Sequence, residues 1–211
     1  MSKKQPSKKQ PRSLGRSERR YSERKVETRE TFERFLIVCE GEKTEPNYFK
    51  SFRVPKEVID IYGEGDNTIG LVKKAIELRD KDGDYDQVWC VFDRDSFLAQ
   101  DFNNALSLGK KEKIQIAYSN EAFELWYLLH YNYHDTAISR KDYSKKLTHT
   151  MGEKYEKNNP YMYEKLESRQ PEAIRNAKRL LEEYDPPNPE QNNPSTTVHL
   201  LVEELNKFIR P

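Results

Sequence analysis

Two short acidic segments follow apolar runs of this sequence, and they are its strongest sign of chemistry. Glu40 comes directly after the run 35–39, and Asp93 and Asp95 come directly after the run 87–92. Carboxylates that meet without a cation repel one another. Oxygen-only ligands favour Mg²⁺ or Mn²⁺, and Mg²⁺ is commonly shared with substrate phosphates. The segments therefore predict a divalent-cation site for phosphodiester chemistry.

The second segment has the spacing of a paired metal ligand. Asp93 and Asp95 are two residues apart, so in an extended chain both side chains point the same way and Arg94 points the other way. Two such carboxylates suit one metal or a pair of metals at a phosphoryl-transfer site. The alternative is a loop in which Asp93 caps the next helix or an aspartate pairs with Arg94.

The first segment carries a candidate base. Glu40 precedes Gly41, which allows a sharp turn, and Glu40 is expected either to hold metal or to act as general acid or base. Glu42 and Glu45 either belong to the acidic group of this segment or interact favourably with the N-terminus of the following helix. Lys43 either neutralises a phosphate or is simply solvated.

A third segment, 119–130, adds one further carboxylate. Glu124 sits between apolar neighbours, and we expect it at the same sheet edge as a metal ligand or a support for one. The aromatic residues of this segment have the helical spacing typical of a core, although an aromatic platform is the alternative. His130 and His199 lie beside apolar residues, and we interpret both as core histidines.

Strand and helix patterns alternate around these residues. A buried parallel strand is a continuous apolar run, and ligands of open α/β sheets bind beyond the carboxyl ends of the strands. The fold class is therefore α/β, a Rossmann-like, mostly parallel sheet with helices on both faces. The first and third strands are neighbours if the second lies outside the first. The predicted strands are 35–39, 58–62, 87–92 and 114–118, and the predicted helices are 45–52, 68–81, 96–108 (ended by Gly109), 122–131, 172–184 and one capped by Ser195 or Thr196.

The chain of 211 residues suits one domain with an appendage. Residues 1–31 are predicted to be a flexible basic arm, and 32–211 the α/β domain, with a helical insertion or lid at 132–170 and C-terminal helices at 171–211. Residues 1–30 hold eleven Lys and Arg against four Glu, a net charge of +7, while the remainder carries −6. Such an arm can neutralise nucleic-acid phosphates, or it is a solubilising or docking tail. The candidate contacts are Arg12, Arg16, Arg19 and Arg20.

Composition argues against several classes of protein. No window approaches the length of apolar sequence that spans a membrane, and we expect no secretory signal. Cys39 and Cys90 both fall in predicted buried strands, which favours free thiols over a disulfide and a reducing cytoplasm as the compartment. No cysteine and histidine spacing predicts zinc, and no phosphate-loop lysine motif predicts ATP hydrolysis.

Four segments together resemble the RloB family. They are Phe35-Leu-Ile-Val-Cys-Glu-Gly-Glu-Lys-Thr-Glu-Pro-Asn-Tyr-Phe49, Val91-Phe-Asp-Arg-Asp95, 119–130 and Asn193-Pro-Ser-Thr-Thr-Val-His199. The resemblance covers about Arg34 to Ile209. It implies a bacterial restriction or abortive-infection locus, an AbiLii-like protein paired with an ATPase, and a core similar to a Toprim domain. In that pattern Glu40, Asp93 and Asp95 bind Mg²⁺ and support phosphoryl transfer at nucleic acid.

The chain departs from the family pattern at one position. Glu121 follows Ser-Asn where the family tends to carry a small residue or Pro. Whether Glu121 joins the site stays open.

Two functions follow as expectations. The favoured one is a Mg²⁺-dependent nuclease-like effector of anti-phage defence, with Glu40, Asp93 and Asp95 as its catalytic and metal-binding residues, Glu124 as a further ligand, and Lys43 and Arg94 contacting nucleic acid. The rival is a non-catalytic regulatory or binding subunit of a partner ATPase. DNA or RNA as substrate, endo- or exonucleolytic cleavage and the oligomeric state are left open.

Overall fold

A computed structural model describes residues 33–55, 58–63, 68–94 and 98–209. The basic arm, with Arg12, Arg16, Arg19 and Arg20, lies outside the described residues, as does Asp95.

A five-stranded sheet carries the described fold. Its order is β2-β1-β3-β4-β5, so β1 separates β2 from β3. The first four strands are parallel, and the short β5 runs antiparallel to β4. The predicted adjacency of the first and third strands is therefore confirmed. The strands are β1 Phe35–Cys39, β2 Ile59–Gly63, β3 Gln87–Asp93, β4 Gln115–Asn120 and β5 Ser195–Thr196.

The two apolar runs form the interior strands β1 and β3, whose side chains are apolar on both sides because helices cover both faces of the sheet. Every residue of β1 is buried. Alternate side chains enter different cores: Ile37 belongs to one core, and Leu36 and Val38 belong to the other. Cys39 and Cys90 are buried free thiols, as the sequence predicted.

The helices divide unevenly between the faces. Side chains of α2 and α3 build the smaller core with Leu36 and Val38, whereas α1 and α4 to α8 build the larger one. Eight α-helices lie within the described part of the chain, and a 3₁₀ turn, Glu167–Arg169, joins α6 to α7. They are α1 Thr44–Lys50, α2 Thr68–Asp82, α3 Ala99–Glu112, α4 Glu124–Leu129, α5 Arg140–Met151, α6 Met162–Leu166, α7 Gln170–Glu182 and α8 Val198–Asn206.

The structure corrects the predicted end of the third helix. Helix α3 continues past Gly109 to Glu112 and closes at Lys113, which has a left-handed conformation with φ of 58°. Gly109 is there for packing, since a Cβ at that position would stand 2.7 Å from the Ile116 side chain. A helical glycine in close contact with a strand resembles a helix end in sequence alone.

The N-cap position of the last helix is one residue later than predicted, although the Thr196 hydroxyl still accepts a hydrogen bond of 3.3 Å from the first helical N–H, that of Val198. Ser195 and Thr196 form β5, and Thr197 precedes α8. The Thr196 hydroxyl donates to the Tyr118 carbonyl at 2.9 Å, which ties this strand to β4. The aromatic helix α4 is shorter than the predicted 122–131. Helices α5 and α6 both lie in the 132–170 segment. None of the described helices combines the length and apolar character needed to cross a bilayer.

Candidate active site

Glu40 and Asp93 meet at the carboxyl end of the sheet. The Glu40 backbone N–H donates to the Val91 carbonyl at 2.8 Å, which continues the β1–β3 ladder past the end of β1. The Glu40 side chain then turns toward β3, where its Oε2 accepts a hydrogen bond of 2.9 Å from the Asp93 backbone N–H. Two strands far apart in sequence thus deliver two carboxylates to one place.

Asp93 lies deep in this site. The residue is 7% exposed, and its Oδ2 accepts a hydrogen bond of 2.5 Å from Arg140 Nη2. Burial raises the pKa of the Asp93 carboxyl well above its usual range, and the nearby Glu45 adds to the rise, while Arg140 opposes it. The Arg140 charge therefore supports an ionised Asp93 against its buried surroundings.

Glu45, on α1, is the second deeply buried carboxylate. Its Oε2 has no hydrogen-bond partner, and a Cβ on Gly41 would stand 2.0 Å from that oxygen. The absence of a side chain at Gly41 therefore makes room for the Glu45 carboxylate. Burial raises the pKa of Glu45; Glu124 contributes to the rise, and Lys157 is among the groups that oppose it.

Glu124 lies behind these groups, at the start of α4. It is 5% exposed, and its Oε1 accepts a hydrogen bond of 3.2 Å from the Tyr155 hydroxyl. Repulsion from Glu124 contributes to the raised pKa of both Asp93 and Glu45. The structure therefore brings Glu40, Asp93 and Glu124 into one acidic cluster with Glu45.

The cluster opens into a pocket of about 410 Å³. The sheet and the α1 loop supply its acidic residues. Residues from the 132–170 segment supply basic and amide groups to the same pocket, and one of them, Arg140, contacts Asp93 directly. The lining residues are Glu40, Gly41, Glu42, Lys43, Thr44, Glu45, Asp93, Arg140, Lys157 and Asn158.

We call the part of the pocket lining formed by Arg140, Lys157 and Asn158 the basic wall. Contacts with α1 hold its Asn158 in place. The Thr44 hydroxyl donates to Asn158 Oδ1 at 2.6 Å, and Asn47 Nδ2 donates to the Asn158 carbonyl at 3.3 Å. Asn158 has a positive φ of 66°, a conformation that asparagine tolerates better than most residues. These two hydrogen bonds, which we call the Asn158 clasp, fix the backbone next to Lys157, a residue that lines the pocket.

The remaining predicted contacts lie in different places. Lys43 is exposed at the pocket rim. Arg94 is not among the lining residues; it contacts Glu190 at 3.3 Å and lies over the Phe102 ring. Glu121 is outside the lining as well, although its charge reaches the buried Tyr143.

Sequence reasoning missed the basic wall. Arg140, Lys157 and Asn158 come from a segment with poor periodicity, and nothing local marks them as site residues. Glu45 carried a signal, because an acidic residue near Gly41 followed the first strand, but the helix N-terminus explained it equally well.

The pocket's donors fit a divalent cation in chemistry. They are carboxylate oxygens, which Mg²⁺ favours, and Glu45 Oε2 is buried without a partner. Within the part of the chain that the structure describes, no three His, Cys, Asp or Glu side chains already stand in a metal-ligand arrangement.

Comparison with known proteins identifies the family. The family model for RloB-like proteins matches residues 35–205, which include all the described site residues. The chain belongs to the RloB-like protein family. No curated protein and no solved structure matches it significantly.

Proposed function

We propose that the chain is a Mg²⁺-dependent, nuclease-like effector with a Toprim-like core, acting on nucleic-acid phosphodiesters in bacterial anti-phage defence. One observation carries the proposal: Glu40 and Asp93 meet at the ends of adjacent parallel strands, in a pocket whose other wall is basic. An acidic group suits the cation, and a basic group suits the phosphate that the cation accompanies. The free thiols Cys39 and Cys90 agree with a cytoplasmic setting.

Each residue has a role in this proposal. Asp93, together with Asp95, holds the cation, and Glu40 either joins them or takes a proton from the attacking water. Glu124 supports the cluster from behind, and Lys43 contacts the substrate backbone at the rim. When bound, Mg²⁺ would polarise the phosphoryl oxygen and offset the charge that develops during displacement.

The rival function is a non-catalytic regulatory or binding subunit of an ATPase from the same locus. The Asp93–Arg140 ion pair favours this alternative, because it neutralises a deeply buried carboxylate without a metal. In either case nucleic acid and a partner ATPase are the proposed partners. The two functions differ in whether the isolated chain has metal-dependent turnover.

The decisive experiment incubates the full chain with labelled single- and double-stranded DNA and RNA, with Mg²⁺, Mn²⁺ or EDTA. Asp93→Asn and Glu40→Gln change charge with little change of shape, and Glu40→Gln keeps an oxygen for the Asp93 N–H. We expect metal-dependent cleavage that falls roughly 100-fold or more in each variant.

The matched control is Asp84→Asn. Asp84 is an exposed aspartate just before β3, at the opposite end of the sheet, and its replacement should leave cleavage unchanged. Cleavage that survives EDTA or both site substitutions would refute the proposal. No cleavage by the wild-type chain, with or without its locus ATPase, would favour the binding-subunit alternative.

A further inference from the structure

The pocket has two walls of opposite charge, and they come from different parts of the chain. The acidic wall belongs to the sheet and α1, through Glu40, Glu45 and Asp93. The opposite wall belongs to the insertion, through Arg140 at the start of α5 and Lys157 in the α5–α6 loop. A ligand that complements both walls carries positive and negative charge side by side.

Arg140 is the residue on which the two walls meet. Its Nη2 lies 2.5 Å from Asp93 Oδ2, yet its side chain is 42% exposed, compared with 9% for Asp93. A guanidinium has five N–H donors in a planar fork, and it binds phosphate as readily as carboxylate. Arg140 therefore reaches both the buried acid and the open pocket.

Lys157 offers a second positive charge on the same wall. It is exposed in the pocket lining, and its charge is felt at the Glu45 carboxylate. The Asn158 clasp to Thr44 and Asn47 fixes the backbone beside it. Two cations from one segment thus line a single pocket that is large enough for a phosphate group.

We propose that Arg140 and Lys157 form a phosphate-binding subsite, and that Arg140 exchanges Asp93 for phosphate when a divalent cation binds. The cation part rests on the proposed function. A cation takes over the neutralisation of Asp93, and Arg140 then turns its donors to the phosphate. Cation and phosphate consequently bind cooperatively, each making the other's binding tighter by the same factor.

The exchange has a counterintuitive consequence for a variant that lacks Arg140. While no phosphate is present, Arg140 competes with the cation for Asp93. An opposite charge within about 6 Å changes the affinity of a carboxylate for a proton by ten- to a thousandfold, so we expect Arg140→Gln to bind Mn²⁺ roughly tenfold more tightly. The same variant should lose the cooperativity, because the phosphate ligand is gone.

The test measures Mn²⁺ affinity of the full chain by calorimetry, with and without dimethyl phosphate, a phosphodiester that chelates metal weakly. The variants are Arg140→Gln, Arg140→Lys and Lys157→Gln. Lys145→Gln is the control, since Lys145 is on the same helix and is 83% exposed in a pair with Asp142. Circular dichroism of each variant checks its fold.

Wild type should bind Mn²⁺ more tightly with dimethyl phosphate than without it, and the control should match wild type. Arg140→Lys should keep part of the cooperativity, and Lys157→Gln should weaken dimethyl phosphate binding. Mn²⁺ affinity in Arg140→Gln equal to or below that of wild type would overturn the exchange. Cooperativity that survives in Arg140→Gln would overturn Arg140 as a phosphate ligand.

Failure of the proposed function gives a different pattern. If wild type binds no Mn²⁺ but dimethyl phosphate raises its melting temperature, and Arg140→Gln removes that rise, the phosphate subsite stands while the exchange and the metal-dependent function fall. If neither probe binds, the subsite and the metal site are both refuted.

Discussion

Glu45 is a carboxylate that the fold keeps in a buried position that is unfavourable for its charge. A carboxylate that is 6% exposed with an unpartnered oxygen is costly. Glu45 stays there because α1 fixes its backbone and because Gly41 leaves room for its carboxylate. Buried, unsatisfied carboxylates are typical of sites that gain a ligand. The contact between Gly41 and Glu45 can be tested apart from any activity.

We predict that Gly41→Ala destabilises the fold through Glu45. The added Cβ would stand 2.0 Å from Glu45 Oε2 and 2.8 Å from Glu45 Cδ, so the buried Glu45 carboxylate must shift, which we expect to cost about 1 kcal/mol, the low end of the range for overpacking. In a Glu45→Ala background the clash disappears, so Gly41→Ala should there be neutral or slightly stabilising. Urea denaturation of the wild type, both single variants and the double variant measures the coupling. Additive effects would mean that the loop backbone, and not Glu45, resists the methyl group.

At the scale of elements, the insertion completes the pocket. Helix α5 brings Arg140 to Asp93 across 47 residues of sequence, and the α5–α6 loop brings Asn158 to Thr44 across 114. The first contact reaches the end of β3, and the second reaches the start of α1. The basic wall therefore depends on how well the insertion is attached to α1.

We predict that Thr44→Val loosens this attachment. The substitution removes the hydroxyl that donates to Asn158 Oδ1 at 2.6 Å while keeping the side-chain shape, and such a bond contributes about 1 kcal/mol. Hydrogen exchange of the 153–161 loop should become faster, with β1 and β3 unchanged. Thr136→Val is the control, because Thr136 is exposed and its hydroxyl donates to the neighbouring Asp135. Equal exchange in the Thr44→Val loop and wild type would show that the clasp does not hold the loop.

The elements also show what the sequence could and could not predict. The strands β1 and β3 were predictable, because burial on both faces requires a continuous apolar run and leaves it visible. Because β1 and β3 were predicted to be neighbours, the sequence also predicted that Glu40 and Asp93 lie close together. Arg140 and Lys157 were not predictable, because long-range contacts made by a segment of weak periodicity leave no local pattern. Strand β5 is only two residues long, too short for any alternation.

For the whole molecule, two buried histidines link folding to pH. Burial lowers the pKa of His130 to about 4 and that of His199 to about 4. The Arg169 charge acts in the same direction on His130, as does Lys178 on His199, where Glu203 opposes it. In the unfolded chain histidine titrates near 6.5. At pH values between about 4 and 6.5, these histidines are therefore mostly protonated in the unfolded chain and mostly neutral in the folded chain.

We predict that stability is complete above about pH 6.5 and falls as the pH drops toward 4, by on the order of 3 kcal/mol per histidine. Asp93 and Glu45, with raised pKa values, act in the opposite direction, so the comparison is between variants. The slope of the unfolding free energy against pH measures how many more protons the unfolded chain binds than the folded chain. Between pH 6.5 and 5, His199→Gln should lower this difference by up to one proton. The same substitution at the exposed His149 serves as the control variant. An unaltered slope in His199→Gln would show that this histidine is already charged in the native state.

The charge of the chain is divided between the arm and the α/β domain, and this division makes a last prediction. Residues 1–30 carry +7, whereas the rest carries −6, so the acidic domain by itself should repel a nucleic-acid backbone. Deleting residues 1–30 should weaken nucleic-acid binding and flatten its dependence on salt, by roughly 0.7–0.9 units of log K per log salt for each phosphate that the arm no longer neutralises. Turnover at saturating substrate should survive, since the acidic cluster lies beyond residue 39.

Replacing Arg12, Arg16, Arg19 and Arg20 by Gln keeps the length of the arm and should reproduce most of the weakening, which separates charge from chain length. Binding with an unchanged salt slope after both alterations would instead assign the arm to a protein partner, and an absence of turnover at saturation would place part of the arm in the site.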